Sequence, residues 1–153
     1  MASEAPVKVV YRIRPMAIED YERVVELWRG INEIVLSDTD EKEPMLRFLS
    51  RNPNLSLVAE TDGEVVGAVL CSHDGRRGYL HHLAVDKRCR RQGIGSALVQ
   101  QCLSLLHREG IVKCNIFILE HNENGVAFWE HNGFELLPHF GWMQRPITCN
   151  TKA

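Results

Sequence analysis

The apolar positions fall into short runs with two spacings. Between Asp20 and Arg29, Tyr21, Val24, Val25 and Trp28 recur at i, i+3, i+4 and i+7. That spacing puts them on one face of a helix, which Gly30 can end. Asp40 to Arg51 repeats the pattern more weakly, with Met45, Phe48 and Leu49 on one side and Asn52-Pro53-Asn54 as the stop. A longer helix opens at Gly93-Ile94-Gly95 and runs to about Glu109, with Ile94, Ala97, Leu98, Leu105 and Leu106 inward and Gly110 at its end. Asn122 to Asn132 reads as a short fourth helix, ended by Gly133.

The remaining runs have strand character. Val7 to Ile13 alternates and is punctuated by Pro15. Leu55 to Glu60 and Glu64 to Cys71 flank Thr61-Asp62-Gly63, a hairpin signal. A polar loop, Ser72 to Gly78, leads to a strand over Tyr79 to Val85, and a charged loop, Asp86 to Gln92, follows. Lys113 to Leu119 reads as a strand of buried type, and Phe134 to Leu137 and Trp142 to Ile147 as weak final strands. The order β-α-α-β-β-β-α-β-α-β predicts an α/β fold, a mixed sheet with helices on both faces. No linker or repeat divides the chain, so one domain is expected over 1–153, with a core of about 8–147.

Composition narrows the class. The chain has 153 residues, 44% hydrophobic and 25% charged, enough for a core without metal or disulfide staples. The net charge of −2 argues against a nucleic-acid or anionic-membrane partner. The five cysteines, Cys71, Cys89, Cys102, Cys114 and Cys149, are odd in number and form no Cys-x-x-Cys pair. Neither zinc nor a disulfide framework is expected, and a reducing, cytoplasmic setting fits. No window approaches the ~18 apolar residues of a membrane span.

The segment richest in chemistry runs from Leu80 to Leu98, where a strand ends in a basic loop that opens a helix through Gly93 and Gly95. Glycines let backbone amides close around a ligand, and a helix N-terminus favours phosphate. Lys87, Arg88, Arg90 and Arg91 add positive charge. A tight turn with solvated basic residues accounts for the same glycines. A P-loop fails, because Ser96-Ala97 follows Gly95 where Lys-[Ser/Thr] is required. A dinucleotide fingerprint fails too, because Leu98 stands where a small residue is needed and Asp86 to Gln92 separates strand from glycines.

Arg90-x-x-Gly93-x-Gly95 after a Leu-Ala-Val strand end resembles the pyrophosphate motif of the GNAT superfamily of N-acetyltransferases. Asn122-x-x-Gly125-x-x-Phe128-Trp129-x-x-x-Gly133-Phe134 is similar to that family's Asn-x-x-Ala-x-x-Leu-Tyr-x-x-x-Gly-Phe segment. The resemblance spans roughly 8–137, and the runs Val58-Ala59-Glu60, Gly63 to Gly67 and His73 to Gly78 look like a branch of small bacterial acetyltransferases of undefined substrate. It implies the GNAT fold, with a mostly antiparallel sheet splayed at its centre. It also implies transfer of acetyl from acetyl-CoA directly to a primary amine of a small molecule or protein, without metal, by a monomer or homodimer.

Carried over by position, the resemblance implies that amides of Arg91, Gln92, Gly93, Ile94, Gly95 and Ser96 hold the pyrophosphate, with Arg90 closing the loop. Leu83, Ala84 and Val85 would pair with pantetheine like an added strand. The Leu83 amide would face the thioester oxygen. Asn122 would bond the pantetheine arm, Phe128 would line the channel and Phe134 would join the core.

Two proton roles remain. His81 is the base suggested by alternation, two residues before Leu83 on the same strand face, with an imidazole that titrates near neutrality. A histidine in this position helps remove the proton in arylalkylamine N-acetyltransferases, which look like this segment. A hydrogen bond within the strand is the other account of His81. Tyr79 shares its face as base or relay, and His82 is expected to point the other way, into the core. At position 129 the family carries a tyrosine acid. Trp129 can donate a hydrogen bond to the leaving thiolate, or simply pack, but has no usable acidity. That departure leaves open a second class, a non-catalytic acyl-CoA-binding sensor or regulatory module.

The other features are plainer. His107, His121, His131 and His139 are expected at the surface, most cysteines in the core, and Cys89 exposed in the phosphate loop. Asp38, Asp40, Glu41 and Glu43 could attract a cationic amine, although a solvated acidic loop fits as well.

Overall fold

A computed structural model describes residues 8–147 of the chain. Val7, the first residue of the expected opening strand, and Cys149 lie outside the described residues. The chain divides into two compact units, one up to Asn122 and one from Glu123 onward.

The first unit carries a five-stranded sheet in sequence order, β1 (Arg12–Pro15), β2 (Leu57–Thr61), β3 (Glu64–His73), β4 (Gly78–Val85) and β5 (Cys114–Ile116). The first four strands pair antiparallel and β5 joins β4 in parallel. The Asp62-Gly63 turn has positive φ at both residues, +49° and +77°, as a tight hairpin requires.

Helix α1 (Tyr21–Arg29) and helix α2 (Lys42–Arg51) cover one face of the sheet, and α3 (Ile94–Arg108) covers the other. The expected apolar stripes do this packing. Val24, Val25, Trp28 and Met45 are buried with Val58, Ala68, Leu70 and Ala84 of the sheet. On the opposite face α3 comes so close that a Cβ on Gly78 would stand 2.7 Å from Leu106 Cδ1. Removing large side chains from such a core costs about 2–5 kcal/mol each.

Asp20 anchors the start of α1. Its carboxylate is 2% exposed, accepts from Ala17 N at 2.9 Å and accepts from the two terminal guanidinium nitrogens of Arg14 at 2.8 Å. The Arg14 hydrogen bonds hold its carboxyl below the ordinary range against the opposing effect of burial.

Three expectations change. The first strand begins only at Arg12, and Val10 is exposed. The strand expected over Lys113 to Leu119 keeps only Cys114–Ile116, half-buried, because the chain leaves β4 after Ile116 and Phe117 and Leu119 are exposed. Phe134 to Leu137 and Trp142 to Ile147 form no strands. The side chains of Leu136, Leu137, Met143 and Ile147 are more than half exposed, with no ladder to hold the segments extended. No helix among the described residues is long and apolar enough to cross a membrane.

Candidate functional site

β4 and β5 pair only through Gly78–Cys114, Tyr79–Asn115 and Leu80–Ile116. Beyond Leu80, no strand among the described residues joins β4 on that side. The sheet is therefore splayed between its two parallel strands, and β4 from His81 to Val85 presents a backbone edge that a ligand can extend. Tyr79, His81 and Phe117 line the opening. The three rings lie nearly parallel, with centroids 6.0 to 6.5 Å apart. Sequence reading missed Phe117, which looked like the interior of a longer strand; its aromatic ring was the available signal.

The splay coincides with a bulge in β4. His81 pairs with Leu70 and Ala84 with Ala68, so His82 and Leu83 together oppose the single residue Val69. His82 has φ +53°. An inserted residue reverses the face of everything beyond it. His81 and Ala84, not His81 and Leu83, therefore share a face, since their partners Leu70 and Ala68 both face the α1–α2 core.

His82 does not point away from His81's face either. Its ring packs edge-on against Trp28 of α1, centroids 5.0 Å apart, and its Nε2 lies 2.9 Å from Asp40 Oδ1. Both imidazoles thus sit on the α1–α2 side. His82 was expected to pack into the core on the other face; it is half-buried on the α1–α2 side instead, because alternation fails at a bulge.

Asp40 is not part of a solvated acidic loop. It is 9% exposed, and its carboxylate also accepts from Ser37 N at 3.0 Å. Burial raises its carboxyl pKa, but the hydrogen bonds from His82 and Ser37 prevail and hold it below its ordinary value. Burial, and next the neighbouring His82, push the pKa of His81 below 6.5, with Asp40 opposing.

The loop after β4 begins with a single 3-10 turn, Lys87–Cys89, capped by Asp86. Asp86 accepts from Arg88 N at 2.9 Å and holds the Arg88 guanidinium at 3.0 Å, with Glu64 at 3.6 Å beyond it. Arg88 is thus committed to carboxylates. Lys87, Arg90 and Arg91 are exposed and reach no carboxylate among the described residues. Arg91 and Gly93 take positive φ, +62° and +80°, and Gly93 caps α3. The first α3 bond runs from Ala97 N to Gly93 O at 2.9 Å, so the amides of Ile94 and Gly95 lie in the turn that precedes intrahelical bonding. Ile94 anchors this turn with a side chain 1% exposed. Gln92 Oε1 accepts from Val9 N at 2.7 Å and ties the N-terminal segment to the loop.

Cys89 is 7% exposed, not exposed as expected, because the 3-10 turn tucks it inward; burial raises its thiol pKa. His107, His121, His131 and His139 are all exposed, as expected. No group of three His, Cys, Asp or Glu among the described residues is placed to hold a metal ion.

Asn122 is half-buried at the end of the first unit, and its backbone N–H donates to Leu119 O at 3.2 Å. The second unit holds α4 (Glu123–His131). In it the Trp129 ring meets Phe128 and Phe134 edge to face, with centroids 5.2 and 5.0 Å apart.

Residues 21–134 match the acetyltransferase (GNAT) family. An acetyltransferase of Pectobacterium atrosepticum is 32% identical over 123 residues, 80% of this chain and 86% of that protein. Another from Sodalis glossinidius is 32% identical over 124 residues, 81% and 87% of the two chains. Among solved structures, Ard1 of Thermoplasma volcanium superposes with a TM-score of 0.74 at 25% identity, covering 84% of this chain and 85% of that one. The PaiA N-acetyltransferase of Thermoplasma acidophilum, solved with coenzyme A, superposes at 0.72 and 22% identity, covering 87% and 94%.

Proposed function

The chain belongs to the acetyltransferase (GNAT) family, and from that premise we propose that it moves acetyl from acetyl-CoA directly to a primary amine of a small molecule or protein. The observation that carries this reading is the splay of β4 from β5 at Leu80 and Ile116, with His81 at its mouth and the Gly93 turn at its far end. The family match runs through the first unit and into the second as far as Phe134, which supports treating these residues as one acetyltransferase domain.

In this reading the pyrophosphate lies against the amides of Arg91 to Ser96, with Arg90 and Arg91, which form no ion pair among the described residues, supplying charge. Pantetheine adds to the open edge of β4 at Leu83, Ala84 and Val85. The amine nitrogen attacks the thioester carbonyl carbon. Charge moves to the carbonyl oxygen, where the Leu83 amide donates. The carbon–sulfur bond then breaks and CoA leaves as thiolate.

His81 takes the amine's proton. Burial favours its neutral form, which can accept one at neutral pH. Tyr79, two residues before it and beside it in the ring row, relays that proton outward. A thiol pKa near ~8.5 makes the thiolate a tolerable leaving group, so no strong acid is required.

One observation favours the alternative, a non-catalytic acyl-CoA-binding module. Trp129 stands where the family carries its acid, and its ring is packed between Phe128 and Phe134. Release of CoA thiol from acetyl-CoA in the presence of a panel of primary amines decides between them. Amine-dependent release supports the transferase; tight binding of acetyl-CoA with no release under any amine supports the module.

A further inference from the structure

Two side chains converge on the one histidine of β4 that the proposed chemistry does not use. Trp28 Nε1 donates to the carbonyl oxygen of His82 at 2.8 Å, and Asp40 Oδ1 lies 2.9 Å from His82 Nε2. One contact holds the backbone of His82 and the other its ring. Both partners are themselves fixed. Trp28 is fully buried in the α1–α2 core. Asp40 is held through its carboxylate by Ser37 N and through its carbonyl by the Tyr21 hydroxyl at 2.8 Å. The residue so clamped has φ +53°, a conformation that residues other than glycine adopt at a cost.

The clamp lies at the bulge where His82 and Leu83 oppose Val69. In a regular strand successive amides point to opposite edges, so an inserted residue reverses which later amides face β3 and which face the splay. The φ of His82 therefore bears on the direction of the next amide, that of Leu83, and on the face shared by His81. We infer that Asp40, Trp28 and His82 are positioning residues, which hold the β4 bulge so that the Leu83 amide reaches the thioester oxygen and His81 faces the acceptor. The inference rests on the acetyl-transfer reading above. It assigns His82 a backbone role, in contrast to a proton-transferring Asp–His pair.

Glycine separates these roles, because it takes positive φ freely and carries no ring. The probe is acetyl-CoA labelled with carbon-13 at the acetyl carbonyl, bound to the full chain and read by infrared difference spectroscopy. Calorimetry gives its affinity, and thermal unfolding confirms that each variant is folded. The parent protein should show the bound carbonyl stretch shifted below that of free acetyl-CoA. His82→Gly should keep that shift, and His82→Ala should lose most of it while still binding. Trp28→Phe, which keeps an aromatic ring there, though a smaller one, and lacks the indole N–H, should lose part of it. Asp40→Asn, which keeps an acceptor for His82, should keep more than Asp40→Leu.

Equal shifts in the Gly and Ala variants overturn the inference, as does a Trp28→Phe shift equal to the parent's. If the parent binds acetyl-CoA without a carbonyl shift, the Leu83 assignment fails and the inference with it. If the parent does not bind acetyl-CoA at all, the acetyl-transfer reading is what fails.

Discussion

Leu80 and Ile116 are the last residues through which β4 and β5 pair. One strand carries on to Val85 while the other ends, so beyond Leu80 no strand among the described residues pairs with β4 on that side. A sheet edge of this kind is ordinarily a hazard that proteins cover. Here the exposed stretch begins at half-buried His81, and the loop that follows it leads to the Gly93 cap of α3.

Gly95→Val should weaken acetyl-CoA binding at least tenfold, because hydrogen bonds to a charged phosphate are worth about 1.5–3 kcal/mol each and a branched side chain blocks the approach. The fold should persist. Calorimetry on the folded variant that returned the parent affinity would remove the pyrophosphate from this turn.

His81→Ala should lower turnover by ~10²-fold or more, with acetyl-CoA binding nearly unchanged. Burial, and then His82, push the His81 pKa below 6.5. The active form is the unprotonated base, so the parent's rate should be flat above neutrality and fall as pH drops through a limb below about 6.5. A variant that keeps both the rate and the limb assigns the base to another group.

Asp20→Asn should destabilise the fold by about 2 kcal/mol at pH 7, less than a fully buried pair because Arg14 is 24% exposed. Folding lowers the Asp20 pKa, chiefly through Arg14. The stabilisation is thus complete above the unfolded value near ~3.9 and is lost as pH falls through the folded value. Urea unfolding of parent and variant should differ at pH 7 and converge in acid; a constant difference contradicts the ion pair as its source.

Trp129→Phe should keep most of the turnover, because the ring's edge-to-face contacts with Phe128 and Phe134 survive in large part and no acid is lost. Trp129→Tyr should equal or exceed the parent, since it restores a proton donor. The measurement is turnover of both variants on one amine at saturating acetyl-CoA. A folded but inactive Phe variant would make the indole N–H essential.

Much of the architecture was legible in the residues alone. Val24, Val25 and Trp28 announced α1 by spacing, Asp62-Gly63 announced the β2–β3 hairpin, and Gly93 announced the cap of α3. Each signal is local: a helix face or a turn is decided by neighbours a few positions away. The same holds for the motif around Arg90, Gly93 and Gly95, which carried the family resemblance that the comparisons bear out.

The orientation of the site's side chains was not legible, nor were the strands that did not form. Alternation placed His81 with Leu83 and turned His82 away, but one inserted residue opposite Val69 reversed both. Nothing in Leu80-His81-His82-Leu83 signals that bulge. Its identifiable contacts come from far away in the chain, Trp28 through the carbonyl of His82 and Asp40 through its ring, separated from it by 54 and 42 residues. The sequence by itself determined the helices, the hairpin, the glycine turn and the family. Tertiary structure decided where β4 parts from β5, which face the histidines share and which acid is buried, because these depend on pairing partners that local spacing cannot specify.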